Sequence, residues 1–275
     1  MGASQELAFN DSSRSPLERA DSILGAFDPD HPSLTLLGLI ARTGLPRTTV
    51  HRTVRKMIEL GWIEHHGDRY SIGTRMFERA ALAGRPLSVR DAALPFLQAL
   101  WAATHETVHL AVLDGNEVVI VEKLVGQRPV TALTRVGGRM PALCTALGKV
   151  LTAFSPTHIA EDIIETGVKP RTPNTLTCAL KIRQDLCRVR EESVGYDREE
   201  TALGLRCVAA PVVAADGSCV AAVSVTGPAS RLFFTKLAPI VRHAAQRSSH
   251  ALAATTATWP WPHRPLDALE LGNVR

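Results

Sequence analysis

The sequence predicts an α+β protein made of two domains. Three observations lead to this class. The chain has 275 residues, which is enough for two hydrophobic cores. Residues 15–73 carry three helix patterns followed by a β-hairpin pattern, while the longer remainder mixes helical stretches with antiparallel hairpins and shows no repeating βαβ order.

The bulk composition is ordinary for a soluble globular protein. Apolar residues make up 45% of the chain and charged residues 21%, and the formal net charge is +4. The five cysteines include no CxxC pair, which suits a reducing cytoplasm. The N-terminus lacks a signal-peptide pattern, and no apolar stretch approaches the 18 residues of a membrane span. We therefore expect a cytoplasmic protein without a membrane partner.

The N-terminal domain is expected at residues 15–73, after a disordered tail at residues 1–14. Ser15, Pro16 and Glu18 form the sequence pattern of a helix start with a capping box. A second helix is expected to be capped by Ser33 and to end at Gly44. A third helix should run from Pro46 to about Leu60, and "WIEHHGDRYSIG" predicts a hairpin with a Gly-Asp turn.

The remaining chain predicts a linker helix, a larger domain and a tail. Residues 74–86 should form the linker helix, residues 87–254 the larger domain, and residues 255–275 a proline-rich tail. The expected helices cover residues 88–105, 144–154, 175–192 and 230–252; the third is capped by Thr175 or Thr177, and the last is kinked or divided at Pro239. The expected strands are two hairpins, at residues 109–125 and 206–228, and a single strand at residues 128–137.

The third predicted helix has two contrasting faces. Val50, Val54, Met57 and Ile58 recur at helical spacing and should form its buried stripe. The other face is cationic, and residues 41–57 contain no acid at all. Arginine and threonine side chains suit phosphates and base edges in a major groove. The candidate DNA-contacting residues are Arg47, Thr48, Thr49, His51, Arg52 and Arg55, with Arg69 in the hairpin wing.

Several longer motifs make the chain similar to a known family. They are "RADSIL", "GLPRTTVHRTV", "LGWIE" and "YSIG" in the first domain, and "PALCTALGKVLTA", "GYDREETALGLRCVAAPV" and "VAAVSVTGP" in the second. From about Ser15 to about Leu252 the sequence resembles the IclR family of bacterial transcriptional regulators. The resemblance implies a winged helix-turn-helix, a linker helix and a GAF-like effector-binding domain. It also implies homodimers, often paired into homotetramers, which bind palindromic operator DNA, and we expect a repressor.

The resemblance also implies a pocket for a small organic acid and no cofactor. Some family members take glyoxylate or pyruvate, and others take aromatic acids. Where the motifs match, the effector-binding positions are Met140, Ala146, Leu147, Asp197, Leu205, Cys207, Ser224 and Thr226. The backbone amides of Ala146 and Leu147 are expected to meet an anion, because the first N–H groups of a helix lack partners within the helix.

Single motifs also allow other interpretations. "GRMPALCTALGKV" lacks the spacing of a phosphate-binding loop, and Lys149 is expected to pack locally or face solvent. Cys207 could be a nucleophile or a buried apolar residue, and Asp197 could be a pocket group or a surface charge. His65, His66 and Asp68 are favoured as a solvated wing tip over a metal site, and His109 as structural.

Two classes of function therefore stay open. One is a DNA-binding regulator that responds to an organic acid. The other is a ligand-binding protein or an enzyme whose basic helix is incidental, although no convergent catalytic set is found in the sequence, so we expect no enzyme.

Overall fold

The computed structural model describes residues 14–127 and 134–256. The expected tails at residues 1–13 and 257–275 lie outside these residues, and so does most of the strand expected at residues 128–137. The chain divides into two compact units, Met1–Gly84 and Arg85–Arg275. Each unit is described by itself.

The N-terminal unit contains four helices and a small sheet within its described part. In chain order the elements are α1 (Pro16–Leu24), β1 (Ser33–Thr35), α2 (Leu36–Thr43), α3 (Arg47–Glu59), β2 (Ile63–His66), β3 (Arg69–Ile72) and α4 (Thr74–Ala80). The three strands are antiparallel in the order β1-β3-β2. This is the winged helix-turn-helix arrangement that the sequence predicted.

Local signals explain where these helices begin and end. The Ser15 hydroxyl accepts a hydrogen bond from Glu18 N, and the Glu18 carboxylate accepts one from Ser15 N, so the predicted capping box is present. Gly44 ends α2 with a φ of 68°, a conformation that glycine adopts without steric cost. The predicted cap of α2 was wrong: Thr35 caps it, and Ser33 begins β1.

The core of the N-terminal unit comes from all three early helices. Ile23 of α1, Leu39 of α2 and Val50 of α3 are fully buried, and Val54 and Met57 are 2% exposed. Ile58 was expected in the same stripe, but it is 38% exposed. It lies about a quarter turn from the centre of the stripe, where helical spacing alone does not decide exposure.

The C-terminal unit is built on one antiparallel sheet. Its elements are α5 (Gly84–Thr104), β4 (Thr107–Asp114), β5 (Glu117–Leu124), β6 (Arg139–Pro141), α6 (Ala146–Ala153), α7 (Thr157–Glu165), α8 (Ala179–Glu192), β7 (Gly195–Arg198), β8 (Leu205–Val213), β9 (Cys219–Pro228) and α9 (Phe234–Thr256). The strand order is β6-β5-β4-β9-β8-β7. The two predicted hairpins, β4–β5 and β8–β9, meet at the centre of this sheet.

The sheet carries a separate hydrophobic cluster on each face. Val208 and Ala210 of β8 face α5 and α9, whereas Cys207 and Ala209 face α6, α7 and α8. This alternation follows from the two-residue period of a strand. Both faces of the sheet are therefore covered by helices, which matches the predicted α+β class.

Some elements differ from the sequence-based expectations. α8 begins at Ala179, because the Thr175 hydroxyl bonds to the backbone of residues 171, 172 and 200 and does not cap the helix. Helix α7 and strands β6 and β7 were not predicted. Residues 134–138 form no strand, and α9 continues through Pro239 as one helix. The linker helix expected at residues 74–86 is divided: α4 is followed by a turn and then by the beginning of α5. Pro86 lies in the first turn of α5, where proline is tolerated.

No helix within residues 14–127 and 134–256 is both long and apolar enough to cross a membrane.

Leu39→Ala should destabilise the N-terminal unit by about 2–5 kcal/mol, because it removes a fully buried side chain and leaves a cavity. The matched control is Leu37→Ala on the same helix, where the side chain is 68% exposed and its loss should change stability little. Urea unfolding followed by circular dichroism measures both. Equal losses from the two variants would contradict the core described above.

Candidate functional site

The exposed side of α3 is the basic face that the sequence predicted. Its residues Arg47, Thr48, His51, Arg52 and Arg55 are all exposed to solvent. Helix α3 has no side-chain cap at Pro46, so its first backbone N–H groups also remain available to an anion.

Acidic neighbours reach only part of this region. Arg42 donates to the Asp28 carboxylate and to the Ala26 carbonyl, so its guanidinium is already engaged. Arg55 lies 3.8 Å from a Glu59 carboxylate oxygen, and both side chains are more than half exposed. Among the described residues, neither Arg47 nor Arg52 has an acidic partner. The basic face therefore keeps uncompensated positive charge at its N-terminal half.

One predicted DNA-contacting residue, Thr49, differs from expectation, and a second, Arg69, is engaged within the wing. The Thr49 side chain is turned towards the core, since the residue is 6% exposed, so it is removed from the basic face. Arg69 is exposed, but its guanidinium donates to the Ser33 hydroxyl at 2.8 Å and to the Ser33 carbonyl at 2.9 Å. These bonds tie β3 to β1 and restrict the reach of Arg69 from the wing.

A cavity of about 60 Å3 lies in the C-terminal unit between the sheet and the start of α6. Apolar walls come from Val118, Ile120, Met140, Leu147 and Leu205, among others. The polar lining residues are His109, Thr134, Thr145, Asp197, Thr201, Cys207 and Thr226. A space of this size holds a few waters.

The first turn of α6 forms one wall of the cavity. Thr145 caps the helix by accepting a hydrogen bond from Gly148 N at 3.1 Å. The N–H groups of Ala146 and Leu147 have no partner within the helix, and both residues line the cavity. Gly148 lets this turn approach the preceding loop, because a Cβ there would overlap backbone atoms of Ala142. The arrangement presents two amide donors and the positive end of the helix dipole to an anion.

Asp197 of β7 faces the same cavity and is 3% exposed. Its Oδ1 accepts hydrogen bonds from Glu200 N at 2.7 Å and Thr201 N at 3.3 Å, which fold the chain after β7 into a turn. Burial raises the pKa of Asp197, while the hydrogen bonds from Thr201 and Glu200 oppose that rise.

The sheet supplies neutral polar groups to the cavity floor. Burial, with a smaller contribution from Lys123, lowers the pKa of His109 to about 3, so its ring is uncharged at neutral pH. Its Nε2 lies 2.9 Å from Thr134 Oγ1. Burial raises the pKa of the Cys207 thiol to about 12, and the Thr226 hydroxyl donates to its sulfur at 3.1 Å. A thiol held protonated in this way is a poor nucleophile.

Lys149 corrects the expectation of a locally packed or solvent-facing side chain. It is 2% exposed, and its ammonium lies 2.5 Å from Glu200 Oε1, 2.8 Å from Asp185 Oδ2 and 3.1 Å from the Tyr196 carbonyl. Burial lowers the pKa of Lys149, and the Glu200 carboxylate opposes that shift. The three charges join α6 and α8 to the turn that follows Asp197.

A wider groove of about 690 Å3 is lined by Lys169 and Arg171, among others. Thr201 lines both spaces. Its hydroxyl donates to the Cys144 carbonyl at 2.9 Å, so this hydrogen bond lies in the wall between them.

Comparison with family models covers both units. Residues 16–67 match the IclR helix-turn-helix domain, and residues 83–250 match the model described as bacterial transcriptional regulator IclR C-terminal. The chain belongs to the IclR family of transcriptional regulators.

Individual relatives agree with this assignment. The chain is 31% identical to the regulator XynR of Escherichia coli K12 over 225 residues, which are 81% of this chain and 89% of XynR. It is 30% identical to the repressor AllR of the same strain over 249 residues, or 86% and 89% of the two chains.

Solved structures of IclR homologues show the same fold. An IclR homologue from Microbacterium hydrocarbonoxydans, complexed with 4-hydroxybenzoate, matches with a TM-score of 0.82 at 27% identity, over 87% of this chain and all of that one. The IclR of Thermotoga maritima matches with a TM-score of 0.70 at 26% identity, over 86% of this chain and 97% of that one.

The cavity of this IclR-family regulator brings together most of the predicted effector positions. Seven of the eight line it: Met140, Ala146, Leu147, Asp197, Leu205, Cys207 and Thr226. Ser224 does not line it; it is fully buried behind the lining, on the same face of β9 as Thr226. The expectation that Ser224 reaches the ligand is therefore corrected.

Several lining residues were not predicted as pocket positions, namely His109, Val118, Ile120, Thr134, Thr145, Thr201 and Ala202. For His109 a signal existed. It alternates with Val108 and Leu110, which are fully buried on the opposite face of β4, so its ring had to face the α6 side.

The metal interpretation of the wing finds no support in the part of the chain that the structure covers. His65 stacks on Tyr70 with ring centroids 4.5 Å apart, and both wing histidines are exposed. Within residues 14–127 and 134–256 no group of three or more histidine, cysteine or acidic side chains could hold a metal ion.

The buried neutral His109 should make stability depend on pH. The unfolded chain binds a proton on this residue below about pH 6.5, whereas the folded protein resists protonation down to about pH 3. The free energy of unfolding should therefore fall as the pH decreases from about 6.5, with about 1.4 kcal/mol per pH unit coming from this group.

Urea unfolding at pH 7.5, 6.5 and 5.5 tests this dependence in the wild type and in His109→Gln, which should show a shallower slope. His158→Gln, on the exposed side of α7, is the matched control and should keep the wild-type slope. Identical slopes for the wild type and His109→Gln would contradict the buried neutral histidine.

Proposed function

We propose that the protein is a repressor whose affinity for operator DNA changes when a small organic acid binds in the C-terminal cavity. The observation that carries the DNA half is the basic face of α3, where Arg47 and Arg52 are exposed without acidic partners in the described chain. The name of the relative AllR, a repressor, supports the direction of control.

The basic face suits a major groove. Arginine donates two parallel hydrogen bonds to guanine or to phosphate, and Thr48 and the free amides of the first turn suit phosphates. In this proposal, a homodimer or a dimer of dimers places two α3 helices in successive major grooves of a palindromic site, about 34 Å apart. The protein acts in the cytoplasm, where bacterial DNA lies.

The effector half of the proposal is supported by the cavity beside α6. Two amide donors at a helix start attract a carboxylate, and the remaining walls are mostly apolar. The 4-hydroxybenzoate bound by the Microbacterium homologue is an organic acid of this kind. Binding can alter DNA affinity only if the acid prefers one of two arrangements of the protein.

An alternative enzyme function has no specific support. The Cys207 thiol is protonated, and its sulfur accepts a hydrogen bond from Thr226. Lys149, the fully buried cation, is held between two carboxylates and does not line the cavity.

Arg52→Ala should weaken DNA binding by about 1–3 kcal/mol if Arg52 contacts a base edge. If Arg52 contacts a phosphate, the variant should reduce the slope of log K against log salt concentration by about one. Binding is measured by fluorescence anisotropy at several salt concentrations, on a DNA fragment selected by the wild-type protein from a random library. Arg183→Ala is the control, because Arg183 is an exposed arginine of α8 in the other unit. Equal binding by the wild type and Arg52→Ala would remove Arg52 from the interface.

The effector is tested on the same DNA with glyoxylate, pyruvate and 4-hydroxybenzoate. At least one acid should change the affinity of the full-length protein for DNA. Ala202→Phe should abolish that change without weakening DNA binding, because Ala202 lines the cavity and is only half-buried. Leu203→Phe is the neighbouring control, since Leu203 is 65% exposed and does not line the cavity. A response that survives in Ala202→Phe would place the effector elsewhere.

A further inference from the structure

Four arginines surround two aromatic rings at the β7 end of the C-terminal sheet. This arginine cluster consists of Arg188 of α8, Arg198 of β7, Arg206 of β8 and Arg242 of α9, with the rings of Tyr196 and Phe234. Along β7, Tyr196 and Arg198 alternate with Asp197, which lines the effector cavity. The cluster therefore lies on the opposite face of the sheet from that cavity, and the proposed function does not use it.

The two rings hold two of the guanidinium groups in place. The Tyr196 and Phe234 rings pack together with centroids 4.7 Å apart. Arg198 Cζ lies 4.7 Å from the Tyr196 centroid and 5.7 Å from that of Phe234. Arg206 Cζ lies 5.6 Å from the Phe234 centroid. Because cation–π contacts restrict these long side chains, both guanidinium groups stay beside one ring.

Arg198 and Arg206 also lie directly opposite one another on the antiparallel strands β7 and β8. Like charges at opposed positions destabilise a sheet. Arg188 adds to the repulsion, because burial and then the Arg188 charge lower the pKa of Arg198. The sheet therefore carries an electrostatic cost that an anion bound beside these arginines would remove.

Carboxylates of the chain neutralise only part of the cluster. Arg188 pairs with Asp185, and Arg206 pairs with Glu199 at 3.5 Å. These two arginines are therefore balanced within the chain.

The other two arginines, Arg198 and Arg242, form no ion pair with any described residue. Glu192 lies near enough to oppose the fall in the pKa of Arg198, but it contacts neither arginine. One carboxylate at a distance leaves positive charge on two guanidinium groups, so the cluster can attract a further anion.

Several hydrogen-bond donors of the cluster lack acceptors in the described chain. The Nε atoms of Arg188, Arg206 and Arg242 are buried and unpartnered. Burial and Glu192 raise the pKa of Tyr196, whereas the charges of Arg198, Arg242 and Arg188 oppose that rise, so these three arginines lie around the Tyr196 hydroxyl. The position beside this hydroxyl thus combines a phenol donor with guanidinium donors from β7, α8 and α9.

We propose that the arginine cluster binds the phosphate group of a small phosphorylated molecule, beside the Tyr196 hydroxyl and in contact with Arg198 and Arg242. A phosphate monoester carries nearly two negative charges and three acceptor oxygens, so it accepts hydrogen bonds from several guanidinium groups at once. A carboxylate carries one charge and is satisfied by one bidentate arginine. The regulator would then have a second ligand site, on the opposite face of the sheet from the organic acid.

The test measures binding to the full-length protein by isothermal titration calorimetry. The probes are inorganic phosphate and glycerol 3-phosphate, with glycerol, acetate and malonate as counterparts that lack a phosphate group. Ionic strength is held constant with sodium chloride, because screening alone changes the interactions of exposed arginines. Both phosphates should bind with a Kd of about 1 mM or lower, and at least about tenfold more tightly than either carboxylate.

Two variants come from different elements of the site. Arg198→Ala and Arg242→Ala should each weaken phosphate binding at least about tenfold, since each removes a charged donor. Arg247→Ala is the matched control: Arg247 is exposed on α9, and its Cζ lies 5.2 Å from the Phe96 ring centroid, outside the cluster. Melting temperatures with and without phosphate separate a folding defect from a lost site, because phosphate should raise the melting temperature of the wild type and of Arg247→Ala only.

Each other outcome overturns the proposal. Absence of binding by both phosphates at about 10 mM, or undiminished binding in both variants, removes the site. Equal affinities for malonate and the phosphates remove the phosphate class. If free phosphates do not bind but both variants weaken DNA binding, the cluster contacts the DNA backbone instead. If both variants change only the oligomeric state, measured by light scattering, the cluster belongs to a contact between copies of the chain. The response to organic acids is measured separately, so the proposed function stands or falls independently.

Discussion

The effector side of the molecule depends on one buried ion pair, between Lys149 and Glu200. Lys149 belongs to α6, whose first turn supplies the cavity amides, and Glu200 belongs to the turn held by Asp197. Asp185 of α8 is a second carboxylate partner of Lys149, and Arg188 pairs with Asp185 from the surface, so that the two cations and two carboxylates balance. Removing one member of such a buried pair typically costs about 3–5 kcal/mol, because a charge is left unpaired in a dry interior. The two polar walls of the cavity are therefore fixed relative to one another.

Packing explains why the ion pair can form at this place. Gly148 precedes Lys149, and the absence of a Cβ lets the first turn of α6 lie directly on the Ala142 backbone. The strand period then places Cys207 and Thr226 on the face that α6 covers. Within this arrangement, Thr201 and Thr175 bond to backbone carbonyls and hold the remaining loops. The cavity is thus the space left between a closely approaching helix start and a sheet face with small side chains.

Local signals in the sequence predicted most elements of the fold. The capping box at Ser15, the turn at Gly44 and the Gly-containing hairpin turns act within a few residues, so a sequence pattern contains them. Strands β6 and β7 have three and four residues and depend on pairing with distant strands, which no local pattern reveals. The cap expected from Thr175 failed for the same reason, since its hydroxyl is taken by the carbonyl of Glu200.

The candidate sites were predictable to different degrees. The exposed arginines of α3 follow from helical spacing, but Thr49 lies near the edge of the apolar stripe, where neighbouring helices decide exposure. The predicted cavity positions came from the resemblance to a family. The lining residues that this resemblance did not supply, such as Thr134 and Thr201, mostly reach the cavity through tertiary contacts. Lys149 shows the limit of reasoning from polarity alone. Its burial requires two carboxylates that lie 36 and 51 residues further along the chain.

In the proposed function, the two surfaces attract anions by opposite physical means. On α3 the arginines stay in solvent, where their charge attracts phosphates over a distance and releases counterions on binding. In the cavity no lysine or arginine is found among the described lining residues, because an unpaired cation there would lose its hydration. Backbone amides take the place of the cation, since they carry only partial charge and are already dehydrated by the fold.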